Sequence, residues 1–232
     1  MKYIVIVSSL LMVALMFSLT AQAGTFKDDF NDGNFDGWNI IELGVCGGSE
    51  WKVENGMLTA KSNPQGQGLC GASLLFGENE WQNYSIECDA KMVKILSDKA
   101  GIGLNLRISV NDGNGIWAWA SLVTAAIQSM RFFDVSKLVE EPFDLQVNQW
   151  YRLKLVVSKD SIEFYIDGKL MASLFEPSQP FSIGRSVGLF VRNCEAQFDN
   201  VVITGDDVPG NSFAVLHQDK LATSWGSIKA IK

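Results

Sequence analysis

The sequence predicts an all-β fold, a two-sheet antiparallel sandwich, and three observations predict it. Helical periodicity is almost absent after the N-terminal segment. Short runs of alternating, β-branched or aromatic residues replace it, roughly a dozen of them, as a sandwich or barrel requires. Turn signals separate the runs, among them Asn55-Gly56 and Asp167-Gly168, residue types that tolerate the positive φ of tight hairpins.

In chain order, Met1-Lys2-Tyr3 carries one positive charge, Ile4 to Leu19 is apolar apart from small polar residues, and Ala21-Gln22-Ala23 follows. This is the layout of a secretory signal, so residues 1–23 are expected to be removed and the mature chain to lie outside the cytoplasm: secreted, periplasmic or at the cell surface. The apolar core is shorter than the roughly 20 residues a spanning helix needs. No second long apolar run follows, so no membrane span is expected after cleavage.

The expected strands then run Thr25–Phe30, Trp51–Glu54, Met57–Lys61, Tyr84–Met92, Ile102–Val110, Ile116–Val123 and Ile127–Asp134. Trp150–Val157 and Ser161–Ile166 pair across Ser158-Lys159-Asp160, and Lys169–Leu174, Ser186–Arg192 and Ala196–Thr204 complete the set. From Gly205 the composition shifts to Asp, Pro, Gly and Asn. The expected organisation is therefore one domain over residues 24–204 and a tail over 205–232.

The formal charge of −7 comes from 26 acidic and 19 basic residues with no basic block, which disfavours nucleic acid and anionic membranes as partners. Four cysteines in an oxidising compartment allow three pairings. Cys46 and Cys70 both sit in Gly-rich segments and are the expected disulfide; Cys88 reads as a small buried hydrophobe, with Cys88–Cys194 as an alternative bridge.

Parity separates two faces. Tyr84, Ile86, Cys88, Ala90 and Met92 alternate with Glu87 and Asp89; Ile102, Leu104, Leu106 and Ile108, expected inward, with Asn105 and Arg107; Ile116, Ala118, Ala120 and Leu122 with Trp117 and Trp119. Met130 and Phe132 are expected inward and Arg131 outward. If these strands are neighbours, Glu87, Asp89, Asn105, Arg107, Trp117, Trp119 and Arg131 share one polar platform.

Several stretches resemble the concanavalin A-like lectin and glucanase jelly rolls. They are Phe26-Lys27-Asp28-Asp29-Phe30, Trp38, and Trp51 to Leu58; then Trp81 to Glu87, Asn148 to Leu153 and Ile162 to Gly168; and lastly Val187 to Phe190 with Ala196 to Val201. Among the groups on that fold, the chain is similar to LamG-like domains and to bacterial 3-keto-disaccharide hydrolase domains over about residues 25–204. The resemblance implies a jelly roll and, through one structural calcium common on that fold, the ligand positions Asp28, Gly56 and Asp199. Calcium takes hard oxygen ligands of that kind. Asn31-Asp32-Gly33 and Asn111-Asp112-Gly113 lack the rest of an EF-hand loop and read as hairpins.

The glycoside hydrolases of this fold that carry an E-x-D-x-x-E strand need two carboxylates about 5–5.5 Å apart. Here Glu87-Cys88-Asp89-Ala90-Lys91-Met92 has methionine where the second glutamate belongs, which argues against that activity. Ile102 to Arg107 is similar to a glycine-to-arginine strand of the 3-keto-disaccharide domains. His217, the one histidine, lies in the tail, which argues against a histidine triad or zinc site. Indoles beside Asn, Arg and carboxylates suit sugar rings and hydroxyls. The expected function is thus a non-catalytic, secreted carbohydrate-binding module with a polysaccharide or glycan as partner. The alternatives are a glycoside-active enzyme of the 3-keto-disaccharide type and a LamG-like adhesion module.

Overall fold

A computed structural model describes residues 24–44, 46–64, 70–77, 81, 83–108, 115–131, 134–158, 161–175, 186–206 and 208–210. The expected signal segment, His217 and the tail beyond residue 210 lie outside the described residues. Fifteen strands are described: β1 Gly24–Asp28, β2 Asn39–Gly44, β3 Cys46–Glu54, β4 Met57–Pro64, β5 Cys70–Phe76, β6 Tyr84–Ile95, β7 Gly101–Ile108, β8 Gly115–Ser121, β9 Thr124–Arg131, β10 Asp134–Pro142, β11 Trp150–Val157, β12 Ser161–Ile166, β13 Lys169–Phe175, β14 Ser186–Arg192 and β15 Cys194–Gly205.

The strands form two antiparallel sheets. One runs β13-β12-β11-β6-β15-β4-β3, with β1 also paired to β15; the other runs β10-β9-β8-β7-β14-β5-β2. The expected sandwich is therefore the observed one. Turn chemistry sets the hairpins: Asn55 and Gly56 (φ 54° and 72°) join β3 to β4, and Asp167 and Gly168 (φ 50° and 77°) join β12 to β13.

Alternation builds the core. In β6 and β15 alternate residues are buried, which places Ile86, Cys88, Ala90 and Met92 against Ala196, Phe198, Val201 and Ile203. The second sheet answers with Ile102, Leu104, Leu106, Leu74, Leu189 and Val191. Three strands escaped the sequence reading. β2 and β10 lie at the edges of the second sheet, and β5 is buried along its whole length, so it offers no polar alternation to read.

Aromatic rings close one end. Phe26 stacks on Phe76 at 3.9 Å, Trp38 lies 5.4 Å from Phe76, and Trp81 meets Phe76 and Tyr84 at 6.3 and 5.9 Å. Trp38 Nε1 donates to Asp28 Oδ2 at 2.8 Å, which ties this cluster to the end of β1.

Phe198 is fully buried, opposite Leu58 on β4 and Ala90 on β6. Phe198→Ala should lower unfolding free energy by about 3–5 kcal/mol in denaturant titration. Phe175→Ala, at a side chain 71% exposed on the edge strand β13, should change it by less than about 0.5 kcal/mol.

Candidate functional site

The expected platform divides between the two sheets. β6 belongs to the first sheet and β7, β8 and β9 to the second, so Glu87 and Asp89 stand on one outer surface and Asn105, Trp117 and Trp119 on the other. The parity within each strand holds; the assumed adjacency of β6 and β7 does not, because the chain crosses the sandwich between them.

On the first sheet, Glu87 and Asp89 meet Arg152 of β11. Arg152 Nη2 lies 3.0 Å from Glu87 Oε1, and its Nη1 donates to Asp89 Oδ1 at 3.2 Å and to the Asn200 carbonyl at 3.0 Å. Lys154 Nζ adds a contact to Glu87 at 3.2 Å, and Asn200 Nδ2 donates to Asp89 at 2.8 Å. The partners of the two carboxylates thus come from β11 and β15, the strands on either side of β6. Burial pushes the Glu87 carboxyl up, but the hydrogen bonds and charges of Arg152 and Lys154 outweigh it and leave Glu87 below its usual value. Met92 is buried in the core, so the strand places two carboxylates, not three, on its outer face.

On the second sheet, antiparallel pairing lines up three rows of outward side chains. Ser73, Phe190, Gly103, Trp119, Ala126 and Glu140 form the middle row. Below it run Gly71, Arg192, Gly101 and Ser121, and above it Leu75, Gly188, Asn105, Trp117 and Gln128. With its amide turned to suit its neighbours, Asn105 accepts from Trp117 Nε1 at 2.6 Å and from Ser73 Oγ at 3.0 Å and donates to the Leu189 carbonyl at 3.1 Å. Trp117 and Trp119 are not an open shelf: they are 5% and 7% exposed and pack with Leu75, Ile108, Ala126 and Phe190 in a second apolar cluster.

Arg192 is half-buried in this face. Its Cζ lies 5.0 Å from the centre of the Trp119 ring. Its neighbours on either side in the sheet are Gly71 and Gly101, and the rings of Phe190 and Trp119 fill the space their missing side chains leave. Burial holds the guanidinium below its usual pKa, against the charge of Asp98. Arg192 Nε and Trp119 Nε1 are buried without a hydrogen-bond partner. Such orphaned donors are rare and call for a ligand or another explanation. Ser73, Phe190, Arg192 and Glu140 went unread in the sequence. The signal for two of them was present: Phe190 and Arg192 alternate with Val187, Leu189 and Val191.

Two expected platform residues sit elsewhere. A bulge in the β7–β14 pairing falls at Arg107, whose φ is 51°. It reverses the parity, so Leu106 is in the core and Ile108 in the outer cluster. Arg107 turns to the Tyr84 phenol, whose ionisation burial pushes up and Arg107 opposes. Arg131 ends β9, and its side chain lies outside the described residues. The described part of β9 buries Ala125 and Ile127 in the core and sets Ala126 on the outer face.

The three expected calcium positions are differently placed. Asp28 turns inward, accepting from the Phe30 amide at 3.0 Å and from Trp38, and burial raises its carboxyl. Gly56 abuts the side chain of Asn31. Asp199 is raised by burial and by the nearby charges of Asp89 and Asp29. Among the described residues no group of three or more His, Cys, Asp or Glu side chains could hold a metal ion, and Asp28 already accepts from Trp38 and from the Phe30 amide. Cys88 and Cys194 are free and buried, which excludes the alternative bridge between them. The side chain of Cys46 lies outside the described residues.

A family model described as the 3-keto-alpha-glucoside-1,2-lyase-like domain matches residues 25–204. Among solved structures, the carbohydrate-binding module CBM66 from Bacillus subtilis is 19% identical, with 71% of this chain and 93% of that chain covered and a TM-score of 0.55. The cellulose-induced protein Cip1 is 13% identical, with 77% and 96% covered and a TM-score of 0.57. A β-glucanase from Bacillus licheniformis is 14% identical, with 78% and 98% covered and a TM-score of 0.51. These structures share the jelly-roll sandwich. No curated protein matches the chain.

Because Glu87 is held below the ordinary 4.5, its contribution to folding is complete above that pH and is lost as pH falls through its lower folded value. Arg152→Gln should cost about 1 kcal/mol at pH 6.5, since the pair is partly exposed. The gap to wild type should shrink as denaturant titrations are repeated down to about pH 3. A gap that does not depend on pH would show that Arg152 acts through packing alone.

Proposed function

Because this chain belongs to the family of 3-keto-alpha-glucoside-1,2-lyase-like domains, we propose that it is a carbohydrate-binding domain acting outside the cytoplasm, with its glycan taken at the outer face of the second sheet. One observation carries the reading. Two buried donors, Trp119 Nε1 and Arg192 Nε, lack partners on a face whose outer cluster also holds Trp117 and Phe190. Sugars supply what such a face needs, namely acceptor oxygens for the donors and C–H faces for the rings. The shared fold of CBM66 and Cip1 is consistent with this use but does not assign it.

A second reading, lyase chemistry on a 3-keto-glucoside, is favoured by the family's description and by Glu140. This carboxylate stands in the same row as Trp119 and could accept the proton beside a ketone. Incubation with a 3-keto-disaccharide separates the two: binding without release of a monosaccharide supports the first, release the second.

The proposal includes removal of residues 1–23 and a Cys46–Cys70 disulfide. In support of the bridge, Cys70 is not among the free thiols, and pairing sets Gly44 opposite Cys70 and Cys46 opposite Pro64. Intact mass of the exported protein reads both at once. It also includes a structural calcium, favoured at Asp199 by the nearby charges of Asp89 and Asp29.

A glycan array with wild type, Trp117→Ala and Trp119→Ala should show binding that either variant reduces at least about tenfold. Trp119→Phe keeps a ring while deleting the donor, and should lose binding without a large fall in Tm. Unchanged binding in all three would remove the face from consideration. A chelator should lower Tm if calcium is held, and an unmoved Tm would discard the ion.

A further inference from the structure

We propose that Arg192 makes this face selective for sugars bearing a carboxylate. The inference rests on the carbohydrate-binding reading and names the class of glycan. A guanidinium taken partly out of water is normally met by an anion, because its desolvation is otherwise uncompensated. Among the described residues no carboxylate lies within ion-pair distance of Arg192. The charge of Asp98 reaches it, but no salt bridge or hydrogen bond joins the two.

Its setting is that of a receptor. Arg192 emerges between Gly71 and Gly101, so no neighbouring Cβ crowds its stem in the sheet. The rings of Phe190 and Trp119 lie over those glycines, 2.7 Å separating Phe190 Cε2 from the position a Cβ on Gly71 would take. Arg192 Cζ lies 5.0 Å from the centre of the Trp119 ring, and the planar fork of arginine is what takes a carboxylate through two parallel bonds. Arg192 Nε is unpartnered, and Trp119 Nε1, on a residue only 7% exposed, is a second unpartnered donor of the same face. The face thus holds two unpartnered N–H groups and a cation with no resident anion. A neutral sugar would satisfy the donors and leave the charge; a uronate satisfies both.

The test is calorimetric titration of the full exported protein with glucose oligosaccharides and with matched ones whose terminal residue is oxidised at C6 to glucuronate. The acidic form should bind at least about tenfold tighter, the range of one hydrogen-bonded charge. Its advantage should shrink as salt is raised from about 0.05 to 0.5 M. Arg192→Met, which retains an apolar stem, should bring the two forms to equal affinity. Arg192→Lys keeps the charge without the fork and should retain part of the preference, so it serves if the methionine variant folds poorly. Equal affinity of wild type for both forms would overturn the inference and leave the carbohydrate reading standing. Binding of neither form would overturn both.

Discussion

One constraint organises the molecule: each sheet must bury one face against the other, and the alternation of side chains along a strand then dictates what its opposite face carries. β6 and β15 pair at the centre of the first sheet, β7 and β14 at the centre of the second, and their inward residues form a single apolar layer. Fully buried Phe30, Phe164 and Phe198 leave that layer little freedom to rearrange. Every functional group considered above is a by-product of that geometry, because the residues between the core positions are the ones free to take other work.

The two outer faces resolve that freedom differently. The first sheet is charged around β6: Arg152 bridges Glu87 and Asp89, and Asn200 completes the coordination of Asp89. These carboxylates already have their partners. The second is apolar and aromatic, with donors left over. Arg192 and Trp119 are among the described residues with buried unpartnered groups, with Thr59, Trp81 and Asn193, and these two share one face and one ring contact.

Much of this was legible in the sequence, for identifiable reasons. Period-two alternation in Tyr84–Met92 and Trp150–Val157 fixes the inward residues, and Asn55-Gly56 and Asp167-Gly168 announce their hairpins. Which strands lie side by side was not legible, since parity says nothing of the sheet a strand joins. That is why Glu87 and Trp119 were placed on one surface when they occupy opposite ones. Nor could composition reveal the bulge at Arg107, where one extra residue reverses the sense of all that follows in the strand. β5 was missed because burial on both sides removes the alternation that identifies a strand.

Cys88 and Cys194 sit fully buried as free thiols, and burial pushes their ionisation far up, that of Cys194 to about 12. Once folded, neither offers a thiolate for exchange. Before folding the position is reversed: all four thiols are open, and a wrong partner for either would have to be undone before the core could close. If the chain is exported as proposed, the order of events decides the yield, since collapse of the core protects these two sulfurs only if it outruns their oxidation.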